Sequence, residues 1–168
     1  MARVLLIVDD GFEDLELYYP KYRLIEAGHK VHVATPDGRP RTGKHEYTIP
    51  ADLAIPDVSV TEYDALVVLG GSRSPEQLRV NVDAIAIVKA FEDAGRPIAS
   101  ICHGPWLLAS AGVLSGKKAT CYFMIRDDVR NAGAEYVDRE VVESGNLITS
   151  RTPVDLPVFM RTLLSRLE

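Results

Sequence analysis

Five short, almost uninterrupted apolar runs punctuate the chain, at residues 4–8, 31–35, 65–69, 97–101 and 147–150. Runs of four or five such residues are too short for buried helices, and a strand covered on both faces has no polar side to show. Longer amphipathic stretches separate most of them. Strands alternating with helices are the mark of α/β architecture, with helices packed on both faces of an open sheet.

The helices follow from periodicity and stop signals. Residues 15–27 form one, closed by Gly28, with Leu15, Tyr18, Tyr19, Tyr22 and Ile25 on one face at helical spacing. Pro20 inside it calls for a kink or a late start. Asn81 caps a helix through residue 94 that Gly95 stops, with Ile85, Val88 and Phe91 inward. Further helices cover 105–111 and 126–132, and Thr152 caps a last one with Pro153 at its first position. Residues 118–122 read as a strand, 136–137 and 141–142 as short strands, and the Pro- and Gly-rich segment 36–60 as loop with a short hairpin. No repeat or linker interrupts the pattern, so residues 1–168 are read as a single domain.

At 46% hydrophobic and 26% charged residues the chain has ample material for a core. A formal net charge of −5 argues against nucleic acid, whose backbone demands a basic face. The one basic run, residues 39–44, is broken by turn formers and reads as a solvated loop. Two cysteines make no disulfide framework. Asp9 and Asp10 end the first apolar run too early for a signal peptide, and no run is long enough for a membrane span. A cytoplasmic protein is expected.

Ligands in open α/β sheets bind beyond the carboxyl ends of the strands, where the loops 9–13, 70–76 and 102–105 are expected to meet. The last follows an abrupt change: the run Ile98-Ala-Ser-Ile stops at Cys102, then comes His103-Gly104-Pro105 and a helix. Gly104 relieves crowding in such a turn, and Pro105 suits the first helical position. This strand-turn-helix elbow thrusts one side chain out above the sheet. A thiol there lies near a helix N-terminus, which favours thiolate by roughly 0.3–1 kcal/mol when exposed and about 2 kcal/mol when partly buried. Cys121, inside a strand with no such surroundings, reads as a core residue. His29, His32 and His45 lack metal-ligand spacing to either cysteine, and neither a metal nor another cofactor is expected.

Ala99-Ser-Ile-Cys-His-Gly-Pro105, supported by Phe12-Glu-Asp, Gly43-Lys-His, Ala65-Leu-Val, Ser74-Pro-Glu, Asp127-Asp, Asn131-Ala-Gly and Ser150-Arg, resembles the ThiJ/PfpI family, in particular its archaeal intracellular-protease branch. The family belongs with the class I glutamine amidotransferase-like folds. The resemblance implies a flavodoxin-like three-layer sandwich, a nucleophile at Cys102, and assembly into dimers and hexamers. It makes His103 the activating base, although a histidine on such a turn could equally be solvated. It makes Glu76 the carboxylate that orients this base from an adjoining subunit; by itself Glu76 is an ordinary first-turn helix acid. It also places Glu13 as a buried carboxyl beside the thiol, pushed towards its protonated form, where position alone suggests a helix-start acid.

An oxyanion hole is expected from the backbone N–H groups of Gly71, Ser72 and His103. Two departures from the family pattern stand out. Ser72 replaces a glycine and would be strained at positive φ. Phe123-Met124 follows the pocket residue Tyr122 where relatives carry Pro-Gly, and would narrow or grease the pocket.

The resulting expectation is a cysteine hydrolase acting on small peptides. The alternative is glyoxalase- or deglycase-type attack of the same thiolate on a reactive dicarbonyl, and a further one is a non-enzymatic redox sensor or stress holdase. Amidotransferase chemistry is disfavoured, since no histidine follows Ser150.

Overall fold

The computed structural model covers residues 1–168. Its elements run β1 (Arg3–Ile7), α1 (Asp14–Glu26), β2 (Lys30–Thr35), β3 (Arg41–Thr42), β4 (Thr48–Ile49), β5 (Leu53–Ala54), β6 (Ala65–Val68), α2 (Arg73–Leu78), α3 (Val82–Asp93), β7 (Ile98–Ile101), α4 (Pro105–Ala111), β8 (Lys118–Ala119), α5 (Arg126–Asn131), β9 (Glu135–Tyr136), β10 (Val141–Ser144), β11 (Leu147–Ser150) and α6 (Leu156–Ser165). Seven strands form the main sheet in the order β10-β11-β7-β6-β1-β2-β5. Every pairing in it is parallel except β10 with β11.

The apolar runs become strands because both their faces are covered. Along β1, Val4 and Leu6 face a core shared with Leu17, Leu24 and Phe159 of α1 and α6. Leu5 and Ile7 face the opposite core, with Phe91 of α3 and Leu107 of α4. From β1 the chain moves to β2 on one side and later returns to β6 on the other. The sheet's switch point therefore lies between β1 and β6, and the crevice at their carboxyl ends is where such a fold receives a ligand.

Asn81 caps α3 as expected, its side chain accepting the N–H groups of Asp83 and Ala84. Other expectations need correction. In α1 the buried residues are Asp14, Glu16, Leu17, Pro20 and Leu24. The face of Leu15, Tyr22 and Ile25 looks outward, with Leu15 59% and Tyr22 61% exposed. Tyr18 and Tyr19, by contrast, are half-buried against the core, so the predicted face straddles the boundary between core and surface. Pro20 lies inside α1 without ending it. Thr152 does not cap through its side chain; a 3-10 turn over Pro153–Asp155 precedes α6. The strand expected at 118–122 stops at Ala119, because the next N–H groups go elsewhere. Thr120 donates to Thr149 Oγ1 (2.9 Å) and Tyr122 to the Cys102 carbonyl (2.9 Å). The 36–60 segment holds the hairpin β3–β4 and supplies the edge strand β5.

Candidate active site

Three loops close over the switch point, and the deepest carries Cys102. Cys102 leaves β7 with φ +62°, one of two non-glycine residues in the left-handed region. That conformation costs an L-residue roughly 1–2 kcal/mol and persists where its surroundings enforce it. Here the Cys102 N–H donates to Ser150 O (3.1 Å), its carbonyl accepts from Tyr122, and Gly104 N–H donates to Ile101 O (2.9 Å). At Gly104 a Cβ would stand 2.4 Å from Ser100 Oγ and 2.6 Å from Val68 O, so the elbow closes only over glycine. Gly104 itself has φ −50°. Its contribution is room, and the twist falls on the cysteine.

The carboxyl beside the sulfur belongs to Glu16, not Glu13. Glu16 projects from the buried side of α1, accepts the Gly70 N–H at 2.8 Å, and lies close enough to Cys102 for the two groups to shift each other's protonation. Burial, then the charge of Glu13, raises its pKa from 4.5 to about 8. It therefore carries its proton at neutral pH. Burial, followed by repulsion from an ionised Glu16, pushes the Cys102 thiol up, while the N–H groups of His103 and Gly71 pull it down. The two are one coupled system: while Glu16 stays neutral the repulsion vanishes, and its O–H supports negative charge on sulfur. Glu16 Oε1 is buried without any hydrogen-bond partner.

Glu13 lines the same cavity, buried, with other partners. It forms an ion pair with Lys44 and lies 3.7 Å from His45 Nε2. This corrects the reading of residues 39–44 as a solvated loop. Arg41 is held by Asp9 (2.7 Å) and Asp37 (2.8 Å) with its side chain only 11% exposed, which ties β3 to the end of β1. Lys44 then lies over the cavity.

His103 Nδ1 stands 3.1 Å from Cys102 Sγ. Burial, and secondarily Lys44, lowers its pKa, keeping the imidazole neutral. Its ring stacks on Tyr122 (4.8 Å between centroids) and meets Trp106 edge-on (5.1 Å), so aromatic packing fixes its orientation. No carboxylate of the same chain bonds it. Glu76 is exposed on α2 and is not part of the cavity wall.

The backbone N–H groups of Gly71 and His103 lie near enough to the sulfur to draw its pKa down. Gly71 takes φ +79°, with Glu13 N and Gly11 O each 2.5 Å from where a Cβ would be. Ser72, expected to be strained, has φ −72° and lies in the wall unstrained. Phe123 and Met124 do not narrow the pocket; they are 54% and 70% exposed and lie outside it. Cys121 is buried, with its thiol pushed up to about 12 by burial.

The cavity holds about 250 Å³ and is walled by Glu13, Glu16, Lys44, Gly71, Ser72, Cys102, His103, Tyr122, Thr152 and Pro153. Sequence reasoning missed Glu16, Lys44, Thr152 and Pro153. Glu16 had a signal: it falls on the stripe of Leu17, Pro20 and Leu24. Ligand atoms of Glu13, Asp14 and His45 lie within 4.8 Å of one another. Their lone pairs are engaged, though: Asp14 accepts the N–H groups of His45 (2.9 Å) and Tyr47 (3.1 Å), and Glu13 holds Lys44.

Known proteins match this chain from end to end. The family model described as DJ-1/PfpI family matches residues 2–166. A deglycase of Thermococcus kodakarensis is 53% identical, and the deglycase PfpI of Pyrococcus furiosus 47%, each over 99% of both chains. Protein/nucleic acid deglycase 2 of Escherichia coli is 41% identical over 96% of this chain and 95% of its own. A two-domain Anabaena variabilis protein containing DJ-1/ThiJ/PfpI-like and ferritin-like domains superposes with a TM-score of 0.97 at 36% identity; the match covers 99% of this chain and 48% of that one. No helix of the structure is long and apolar enough to cross a membrane.

Proposed function

We propose that this chain, which belongs to the DJ-1/PfpI family, is a Cys102-dependent enzyme that converts a 2-oxoaldehyde, free or as its adduct with an amine, to a 2-hydroxycarboxylate. The cavity carries this reading. Drug-sized ligands occupy roughly 300–1,000 Å³ of mostly apolar space. This one offers about 250 Å³, and only two of its ten wall residues, Cys102 and Tyr122, are hydrophobic. A three-carbon dicarbonyl suits that space better than a peptide segment does. The names of the relatives favour deglycation over the peptidase expectation in the same way.

In the proposed sequence, His103 takes the thiol proton and Sγ bonds to the aldehyde carbon, whose oxygen turns to the N–H groups of Gly71 and His103. The Glu16 O–H supports the sulfur while it is negative. The hydrogen on the former aldehyde carbon then moves as a proton to the neighbouring carbonyl carbon, through an enediol, leaving a thiol ester of the 2-hydroxy acid. Water cleaves that ester and returns the thiol. The net change is addition of one water, with no external oxidant. From an amine adduct the amine departs protonated before the thiol ester forms. Purified protein is expected to consume a 2-oxoaldehyde with stoichiometric 2-hydroxy acid, and to turn over fluorogenic aminopeptidase substrates at least about tenfold more slowly by kcat/KM. Faster peptide cleavage would reverse the assignment.

His103 lacks an orienting carboxylate in its own chain, and a base of this kind works best with one. Glu76 from a second copy is proposed to supply it. A mixture of Cys102→Ser protein and Glu76→Gln protein, each weakly active, should then recover activity after subunit exchange. Mixtures no more active than the sum of their parts would show that Glu76 does not serve a neighbour's site.

A further inference from the structure

The reaction proposed above creates a charge that its substrate lacks: a neutral dicarbonyl enters and a carboxylate must leave. Among the residues that wall the cavity, Lys44 is the only lysine or arginine. Glu16, the nearest acid to the sulfur, carries its proton and does not repel an anion there.

Lys44 is carried by a firmly seated turn. Its own N–H donates to Phe12 O (2.9 Å), and Gly43 N–H donates to Tyr47 O (2.9 Å). Asp14 accepts the next N–H groups, those of His45 and Tyr47. The turn lies so close on the start of α1 that a Cβ at Gly43 would stand 2.5 Å from the Asp14 carboxylate. The backbone is fixed; the side chain, half exposed, can pivot. Its ammonium bonds Glu13 and lies close enough to Cys102 and Glu16 for their charges to act on it.

We propose that Lys44 binds the carboxylate of the 2-hydroxy acid as it forms, and that Glu13 is the internal counter-ion that competes for the same ammonium and expels it. Capture exchanges one Lys44 ion pair for another, so the product is held without a deep well. His45 Nε2, 3.7 Å from Glu13, gives that carboxylate a neighbour while Lys44 is turned inward. The pair is a product gate built from two residues of opposite charge.

The test reads the thiol, not turnover, so it can be separated from the dicarbonyl assignment on which the inference rests. Alkylation of Cys102 by iodoacetamide is timed with lactate or with lactamide, which differ in charge and hardly in shape. Lactate is expected to slow alkylation of the wild-type protein at a concentration at least tenfold below that of lactamide. Lys44→Met should abolish the difference, Lys44→Arg should retain most of it, and Glu13→Gln should lower the lactate concentration needed severalfold. Equal protection by acid and amide, full protection in Lys44→Met, or weaker protection in Glu13→Gln would each overturn the proposal. Lys44-dependent protection in a protein that fails to turn over any 2-oxoaldehyde would leave the anion site standing and remove the dicarbonyl assignment.

Discussion

Serine at position 102 is expected to lower 2-oxoaldehyde turnover by at least about a thousandfold, on the scale seen when an enzyme loses its covalent nucleophile. The swap is nearly isosteric and keeps the left-handed backbone at φ +62°, so the fold should survive with a stability change of about 1–2 kcal/mol at most. The chemistry should not survive. A hydroxyl is far less acidic than a thiol, and the acid nearest to it, Glu16, carries a proton and is no base at neutral pH. His103, 3.1 Å from the sulfur, would face that hydroxyl alone. Steady-state kinetics on both proteins, with circular dichroism to show an intact fold, decides the matter. A serine variant retaining a tenth of the activity would mean that Cys102 is not the attacking group, and a redox or holding function would then fit the thiol better.

The elbow is legible in the sequence because its ingredients are local. An apolar strand, a cysteine, then Gly104 and Pro105 specify strand, turn and helix within one short segment, and the structure places each as read. The same holds for the alternation of apolar runs that becomes the parallel sheet. What is not legible depends on the angle at which separate elements meet. Glu13 and Glu16 both stand at the start of α1. Which of them reaches the sulfur is set by the helix's rotation about its axis, and the outward Leu15, Tyr22 and Ile25 disguise that rotation. Lys44 arrives from a hairpin far from the cysteine in sequence, seated by Asp9, Asp10 and Asp14 through backbone and ion-pair contacts that no periodicity announces. Ser72 looks strained only if the glycine it replaces is the residue with positive φ; in the folded loop Gly71 takes that role.

The substitution Glu16→Gln should make the protein progressively more stable than wild type as pH rises from about 4.5 to about 8, with no further gain above that. The folded wild-type carboxyl holds its proton up to about 8, whereas in the unfolded chain it lets go near its ordinary value of 4.5. Between those values the folded state binds one proton more than the unfolded, so raising pH destabilises it; the cost is absent below the unfolded pKa and complete above the folded one. If the whole shift is expressed, the cost reaches on the order of 4–5 kcal/mol, an upper bound once water entry relaxes the site. The glutamine side chain cannot ionise, still offers N–H to the sulfur, and leaves every other titrating group in place. The difference between the two urea-unfolding curves therefore reports this carboxyl together with its coupling to the Cys102 thiol. The same substitution should free alkylation of Cys102 from a braking phase near pH 8, where an ionising Glu16 would otherwise push the thiol up as hydroxide begins to draw its proton off. Parallel stability curves for the two proteins from about pH 5 to about pH 9 would mean that Glu16 ionises in the folded state as readily as in water. The sulfur would then have an anion beside it rather than a hydrogen-bond donor, and a thiolate at that elbow would have to be sustained by the Gly71 and His103 N–H groups alone.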